Sequence, residues 1–127
     1  MLTVLIADDE PHIVDLVRVT LEDDRVRVVD ALDGIGALEV AELYAPDMIF
    51  LDVHLPDISG LEVCRTLRGD PRLRCKPVVM LTAAAQQEDV ARGFAAGATE
   101  YLTKPFSPIR LLSLVERLVP HVAWLPK

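Results

Sequence analysis

Residues 46–60 read PDMIFLDVHLPDISG. Pro46 closes the segment before it, Met48 to Leu51 is an unbroken apolar run, and Asp52 follows that run directly. Ser59 with Glu62 three residues on has the capping-box spacing that starts a helix. A short apolar strand, a polar turn and a helix therefore follow one another within this stretch. Asp52 sits where the strand ends.

The same pattern repeats on both sides. Upstream, LTVLIA is the first strand candidate, and Asp9-Glu10-Pro11 reads as acidic cap residues with an early proline. The helix that follows carries Ile13, Leu16, Val17, Thr20 and Leu21 as one stripe. VRVVDA (Val26 to Ala31) is the second strand, and Asp33-Gly34 opens a helix through Ala37, Leu38, Ala41 and Leu43. Downstream, the Ser59 helix carries Leu61, Cys64 and Leu67 and ends at Gly69-Asp70-Pro71. VVML then leads to Thr82, and a helix with Val90, Ala91, Phe94 and Ala95 runs to a stop at Gly97. EYLT is the short fifth strand, and Ser107-Pro108 caps a last helix, Ile109 to about Val119, that is apolar on most of its circumference.

Five strands alternating with helices predict an α/β fold, a doubly wound parallel sheet with helices on both faces. Ligands in such sheets bind beyond the strand C-terminal ends. Those ends carry Asp8 and Asp9, Asp52, Thr82 and Lys104. Carboxylates gathered there repel: at an effective dielectric near 20, a pair about 4 Å apart costs roughly 4 kcal/mol. A hard divalent cation, Mg²⁺ or Mn²⁺, and Lys104 supply the opposing charge. Together these groups describe a phosphoryl site, with Asp52 as the nucleophile and Thr82 as a donor to the new phosphoryl oxygen.

Composition narrows the alternatives. The 127 residues suit one domain; 51% are hydrophobic and 26% charged, and the formal net charge is -7. That acidity argues against direct nucleic-acid binding. No apolar stretch is long enough for a membrane helix, and MLTVLIADDE lacks the basic start of a signal peptide, so the expected location is the cytoplasm. Cys64 and Cys75, outside any CxxC, read as reduced, packed thiols.

IADDE, PDMIFLDVHLPDISG, VVMLTA and GATEYLTKPF, in this order, resemble the receiver domain of bacterial two-component response regulators, of the chemotaxis-receiver kind. The resemblance implies the flavodoxin-like strand order 2-1-3-4-5, a receiver over residues 1–120, and a short tail or truncated linker over 121–127. It further implies that Asp52 accepts a phosphoryl group from a sensor histidine kinase or phosphotransfer protein. Asp8, Asp9 and Asp52 would hold Mg²⁺, with Asp9 favoured as the direct ligand over Asp8 and with the backbone carbonyl of His54. Thr82 and Lys104 would contact the phosphoryl group, Lys104-Pro105 would be cis, and Tyr101 would be the switch aromatic. Phosphorylation would shift the surface of the fourth helix, fifth strand and fifth helix, read by a downstream effector.

Leu55 stands where the family often has methionine. The alternating charges that pair receivers of one transcription-factor subfamily are sparse, only Arg110, Glu116 and Arg117 remaining. That dimer is therefore not carried over, and self-association through the surface is left open. The chain is either a stand-alone receiver or part of a longer regulator. It is expected to catalyse only its own phosphotransfer and dephosphorylation, and the His54 ring is either solvated or a modulator of the hydrolysing water. The rival readings are a phosphate-independent pseudo-receiver scaffold and, further off, an aspartate-nucleophile phosphatase. The phosphatase wants a second aspartate where His54 stands.

Overall fold

The structure is a computed structural model, described for residues 1–83 and 87–119, with backbone alone at position 87. Residues 121–127, expected as a tail, lie outside the described residues. Parallel strands β1 (Leu2–Ala7), β2 (Val26–Ala31), β3 (Met48–Asp52), β4 (Val78–Ala83) and β5 (Glu100–Lys104) form one sheet in the order β2-β1-β3-β4-β5. The helices are α1 (Pro11–Leu21), α2 (Gly34–Tyr44), α3 (Gly60–Arg68), α4 (Gln87–Ala95) and α5 (Pro108–Leu118). This is the expected fold.

Alternation along each strand builds two cores. Val4, Ile6, Met48, Phe50, Val79 and Leu81 pack with α1 and α5, whereas Leu5, Ala7, Ile49, Leu51, Val78 and Met80 pack on the side of α2 and α3. Each large side chain so buried contributes roughly 1.5–3 kcal/mol. β3 is buried along its whole length, including Asp52. The order of strands reverses between β1 and β3, so the groups just beyond their C-terminal ends flank the switch point.

Local signals set most helix starts. Asp33 accepts a hydrogen bond from the Gly36 amide at 2.7 Å, Ser59 from that of Glu62 at 3.3 Å, and Ser107 from that of Arg110 at 3.2 Å. α1 differs: Glu10 occupies its N-cap position but makes no side-chain cap, because the side chain turns to Lys104. Gly60 is required by close approach, since a Cβ there would overlap the Asp52 carbonyl oxygen.

Several expected faces are corrected. In α2, Ala37 and Ala41 are buried but Leu43 is 76% exposed; in α4, Asp89 and Gly93 face inward while Ala91 and Phe94 face out. Val14 in α1 and Val63 in α3 are buried beyond the expected stripes, and Thr20 and Leu61 are only half-buried. In α5, Leu111, Leu114 and Val115 are buried and Ile109 is exposed. Apolar periodicity gives the angular width of a stripe, but neighbouring helices decide which edge of it is covered. β3, β4 and β5 each run further than expected, so Asp52, Thr82 and Lys104 are strand residues rather than loop residues. Cys64 is the packed thiol expected, but Cys75 is exposed. No helix among the described residues is long and apolar enough to cross a membrane.

Candidate functional site

Lys104 ends β5 and reaches back across the sheet edge. Its Nζ lies 2.7 Å from Asp8 Oδ2, 2.8 Å from Glu10 Oε1 and 2.9 Å from Asp52 Oδ2. The strand order makes this possible, because β1, β3, β4 and β5 are consecutive neighbours whose C-terminal ends share one edge. Asp8 Oδ1 accepts a hydrogen bond from the Glu10 amide, and Asp52 Oδ1 accepts one from the His54 amide, each at 2.9 Å. Both carboxylates are thereby aimed by backbone as well as by the lysine.

Electrostatics in the pocket are lopsided. Burial pushes the Asp8 carboxyl above its usual range, and the adjacent Lys104 ammonium and the Glu10 amide only partly offset it. Glu10 goes the other way: its hydrogen bond with Lys104 holds it below its ordinary value. Burial works against a charged Lys104, but its close contacts with the Asp8, Glu10 and Asp52 carboxylates outweigh it and raise its pKa. Donor oxygens of Asp8, Asp9, Glu10 and Asp52 all lie within 4.8 Å of one another. Three of these four carboxylates lie against the Lys104 ammonium. Asp8 Oδ2 is buried with its lysine contact but no well-aligned hydrogen bond. An all-oxygen cluster with surplus charge and an incompletely satisfied buried oxygen fits a hard divalent cation.

Of the other expected residues, Asp9 is exposed at the pocket mouth and Thr82 is buried, one residue beyond Leu81, the register partner of Asp52. Lys104-Pro105 is cis, as expected. Tyr101 is 39% exposed, and its ring meets Phe94 edge-on at 6.0 Å. The pocket does not include it. The His54 ring is held outside the carboxylate cluster, with Nε2 2.7 Å from Asp89 Oδ2. Asp89 itself is buried, with Arg92 3.8 Å from its other oxygen.

Sequence reasoning missed three participants. Glu10 was read as a cap. Asp89 carries no distinctive local signal, since an acidic residue in a first helical turn is ordinary dipole complementarity. Asp57 has φ of 67°, and its carboxylate accepts hydrogen bonds from the amides of Gly34 and Ile35 at 2.9 and 3.2 Å, tying the loop after β3 to the start of α2. An aspartate two residues after Leu55 and one after a proline does signal a tight turn. Which helix it would cap is not a local property.

A parallel α/β sheet with a carboxylate cluster and a lysine beyond its strand C-terminal ends is a doubly wound fold with its candidate site at the switch point. The chain belongs to the response regulator receiver domain family, whose family model matches residues 4–116. Among curated relatives, the DNA-binding dual master transcriptional regulator RpaA of Synechocystis is 43% identical over 98% of this chain and 52% of its own length. The alkaline phosphatase synthesis transcriptional regulatory protein PhoP of Bacillus subtilis is 41% identical over 91% of this chain and 48% of its own. The chain spans about half the length of these two relatives. Chemotaxis response regulator CheY4 of Vibrio cholerae superposes with a TM-score of 0.87 at 36% identity, covering 94% of this chain and 99% of that one. Receiver domains of this family are signalling switches.

Proposed function

We propose that the protein is a phosphorylation-controlled switch in which Asp52 accepts a phosphoryl group from a sensor histidine kinase or a phosphotransfer protein. The observation that carries this reading is the Asp52 carboxylate, fixed at the end of a buried strand by the His54 amide and 2.9 Å from Lys104 Nζ. A carboxylate oxygen of Asp52 attacks phosphorus, the P–N bond to the donor imidazole breaks, and the bond's electron pair stays on that nitrogen. With the donor ring protonated on its other nitrogen, the products are an acyl phosphate and a neutral imidazole. Lys104 offsets charge on the transferring oxygens, and the buried Thr82 hydroxyl donates to one of them. Mg²⁺, held by Asp8, Asp9, Asp52 and the His54 carbonyl, would neutralise charge on the transferring group when bound.

The acyl phosphate brings close to two negative charges to the end of β3. Thr82 moves toward them, and Tyr101, which pairs with Met80 across β4 and β5, fills the vacated space. Tyr101 and Ile109 border an open cavity of about 670 Å³ between β5 and α5 that would change shape in that step. A downstream effector, or a second copy of the chain, reads the face formed by α4, β5 and α5. In this reading the protein works in the cytoplasm and does not itself bind nucleic acid. The His54 ring, held by Asp89, slows or admits the hydrolysing water; an unchanged dephosphorylation rate in His54→Ala removes that role.

Incubation with a phosphoramidate and Mg²⁺, followed by intact-mass measurement, tests the core of the reading. One phosphoryl group is expected on the wild type and none on Asp52→Asn. Addition of the same group to both chains overturns the assignment. A scaffold that ignores phosphate would show no shift of its amide resonances on adding beryllofluoride with Mg²⁺, whereas the switch shifts those of Thr82 and Tyr101.

A further inference from the structure

We propose that Glu10 is the exchangeable partner of Lys104, and that an incoming phosphoryl oxygen takes the place of its carboxylate. The proposal rests on the reading of Asp52 as the acceptor. An ammonium has three N–H donors and no more. Aligned hydrogen bonds go to Glu10 and Asp52, and Asp8 Oδ2 crowds the same ammonium at 2.7 Å without an aligned bond. A phosphoryl oxygen approaching Nζ therefore competes with carboxylates already packed against it.

Glu10 is the carboxylate that leaves most easily. Asp8 is fully buried and held by the Glu10 amide, and Asp52 is held by the His54 amide and becomes the phosphorylated group itself. The Glu10 side chain is 45% exposed, and its second oxygen already points outward, 3.4 Å from the exposed His12 ring. Released into water it regains hydration with no buried group left unpaired. α1 does not depend on it, because the side chain makes no cap bond. Glu10 is thus a positioning residue: it parks Lys104 in the pocket before phosphorylation and competes with the phosphoryl group for the same cation.

Beryllofluoride with saturating Mg²⁺ is the probe, applied to the wild type, Glu10→Ala, Glu10→Gln and Asp15→Asn. Glu10→Ala should lower the half-saturating concentration by about two- to five-fold, the range of a single part-exposed ion pair. Glu10→Gln, which keeps a neutral acceptor, should fall between. Asp15 is exposed on α1 and removes the same unit of charge without touching Lys104, so Asp15→Asn should match the wild type. In the absence of metal and probe, the Lys104 ammonium resonance should move in Glu10→Ala and stay put in Asp15→Asn. Unchanged half-saturation in Glu10→Ala overturns the proposal, as does an equal gain in Asp15→Asn, which would reduce the effect to bulk charge. Weaker Mg²⁺ binding by Glu10→Ala in calorimetry also overturns it, since Glu10 would then be a cation ligand. A wild-type chain that takes up no probe at all overturns the Asp52 reading, which separates that failure from this one.

Discussion

Lys104 and Arg68 are half-buried cations at opposite ends of the sheet, and they are satisfied in opposite ways. Among the described residues, Lys104 meets carboxylates, those of Asp8, Glu10 and Asp52. Arg68, at the end of α3, meets neutral acceptors: the carbonyls of Gly97 at 2.7 Å, Arg74 at 2.9 Å and Lys76 at 2.6 Å, and Thr99 Oγ1 at 3.1 Å. Thr99 Oγ1 also accepts from the Val78 amide, so one guanidinium joins α3, the entry to β4 and the entry to β5. Dipoles fixed in backbone cannot be exchanged, and the planar fork of Arg matches several of them at once. Surplus carboxylates around a rotatable ammonium can be. One cation locks the fold, and the other stands in a pocket where partners can change.

The largest effect that tests this contrast is Arg68→Ala. It leaves several carbonyls and Thr99 without their donor, so the unfolding free energy in urea should fall by about 2–3 kcal/mol. Arg68→Lys should recover only part of that, because an ammonium cannot span the same acceptors. If both variants unfold like the wild type, Arg68 is not a lock.

Mg²⁺ should divide the two ends next. At a concentration about 100 times its dissociation constant, the ion should stabilise the wild type by about 2.7 kcal/mol. Asp8→Asn should lose most of that gain, whereas Arg68→Lys should keep it in full. Equal gains in the two variants would place the cation elsewhere.

In the absence of metal, Asp8→Asn should itself be stabilising. Burial raises the folded-state pKa of Asp8 above its unfolded value of 3.8, so the folded chain favours the protonated carboxyl. The cost of ionising it appears as pH rises through 3.8 and is complete above the folded pKa. The advantage of Asp8→Asn should therefore grow with pH over that window and vanish below it. Thermal melts between pH 3 and pH 7 check the sign.

Asp57→Asn should have the smallest effect, with the opposite pH dependence. Desolvation acts to raise the Asp57 pKa, but hydrogen bonds from the amides of Ile58, Ile35 and Gly34 hold it below the usual carboxylate range. Its contribution is present above 3.8 and lost as pH falls through the folded pKa. The difference between wild type and Asp57→Asn should therefore close on acidification rather than open.

Much of this was readable along the chain. The strands announce themselves as apolar runs, and Asp33, Ser59 and Ser107 mark helix starts with side chains that cap as expected. Asp8, Asp52 and Lys104 were legible as a group because each sits at a strand end and parallel strands share a C-terminal edge. Leu43 and Phe94 were misread because a helical stripe does not reveal how far its neighbours reach around it. Glu10, Asp57 and Asp89 were missed as partners because their bonds go to Lys104, to the start of α2 and to His54, each contact crossing between elements.

By itself, then, the sequence determined the alternation of strand and helix, the sheet's two apolar faces and the chemical types gathered at its C-terminal edge. Those follow from periodicity, capping and chain direction, which are properties of neighbours in the chain. Tertiary structure alone decided that three carboxylates crowd Lys104, that the His54 ring turns to Asp89, and that Arg68 closes the far end on backbone carbonyls. Ion pairing and burial act through space over a few ångströms, and Lys104 meets Glu10 across a separation of 94 residues.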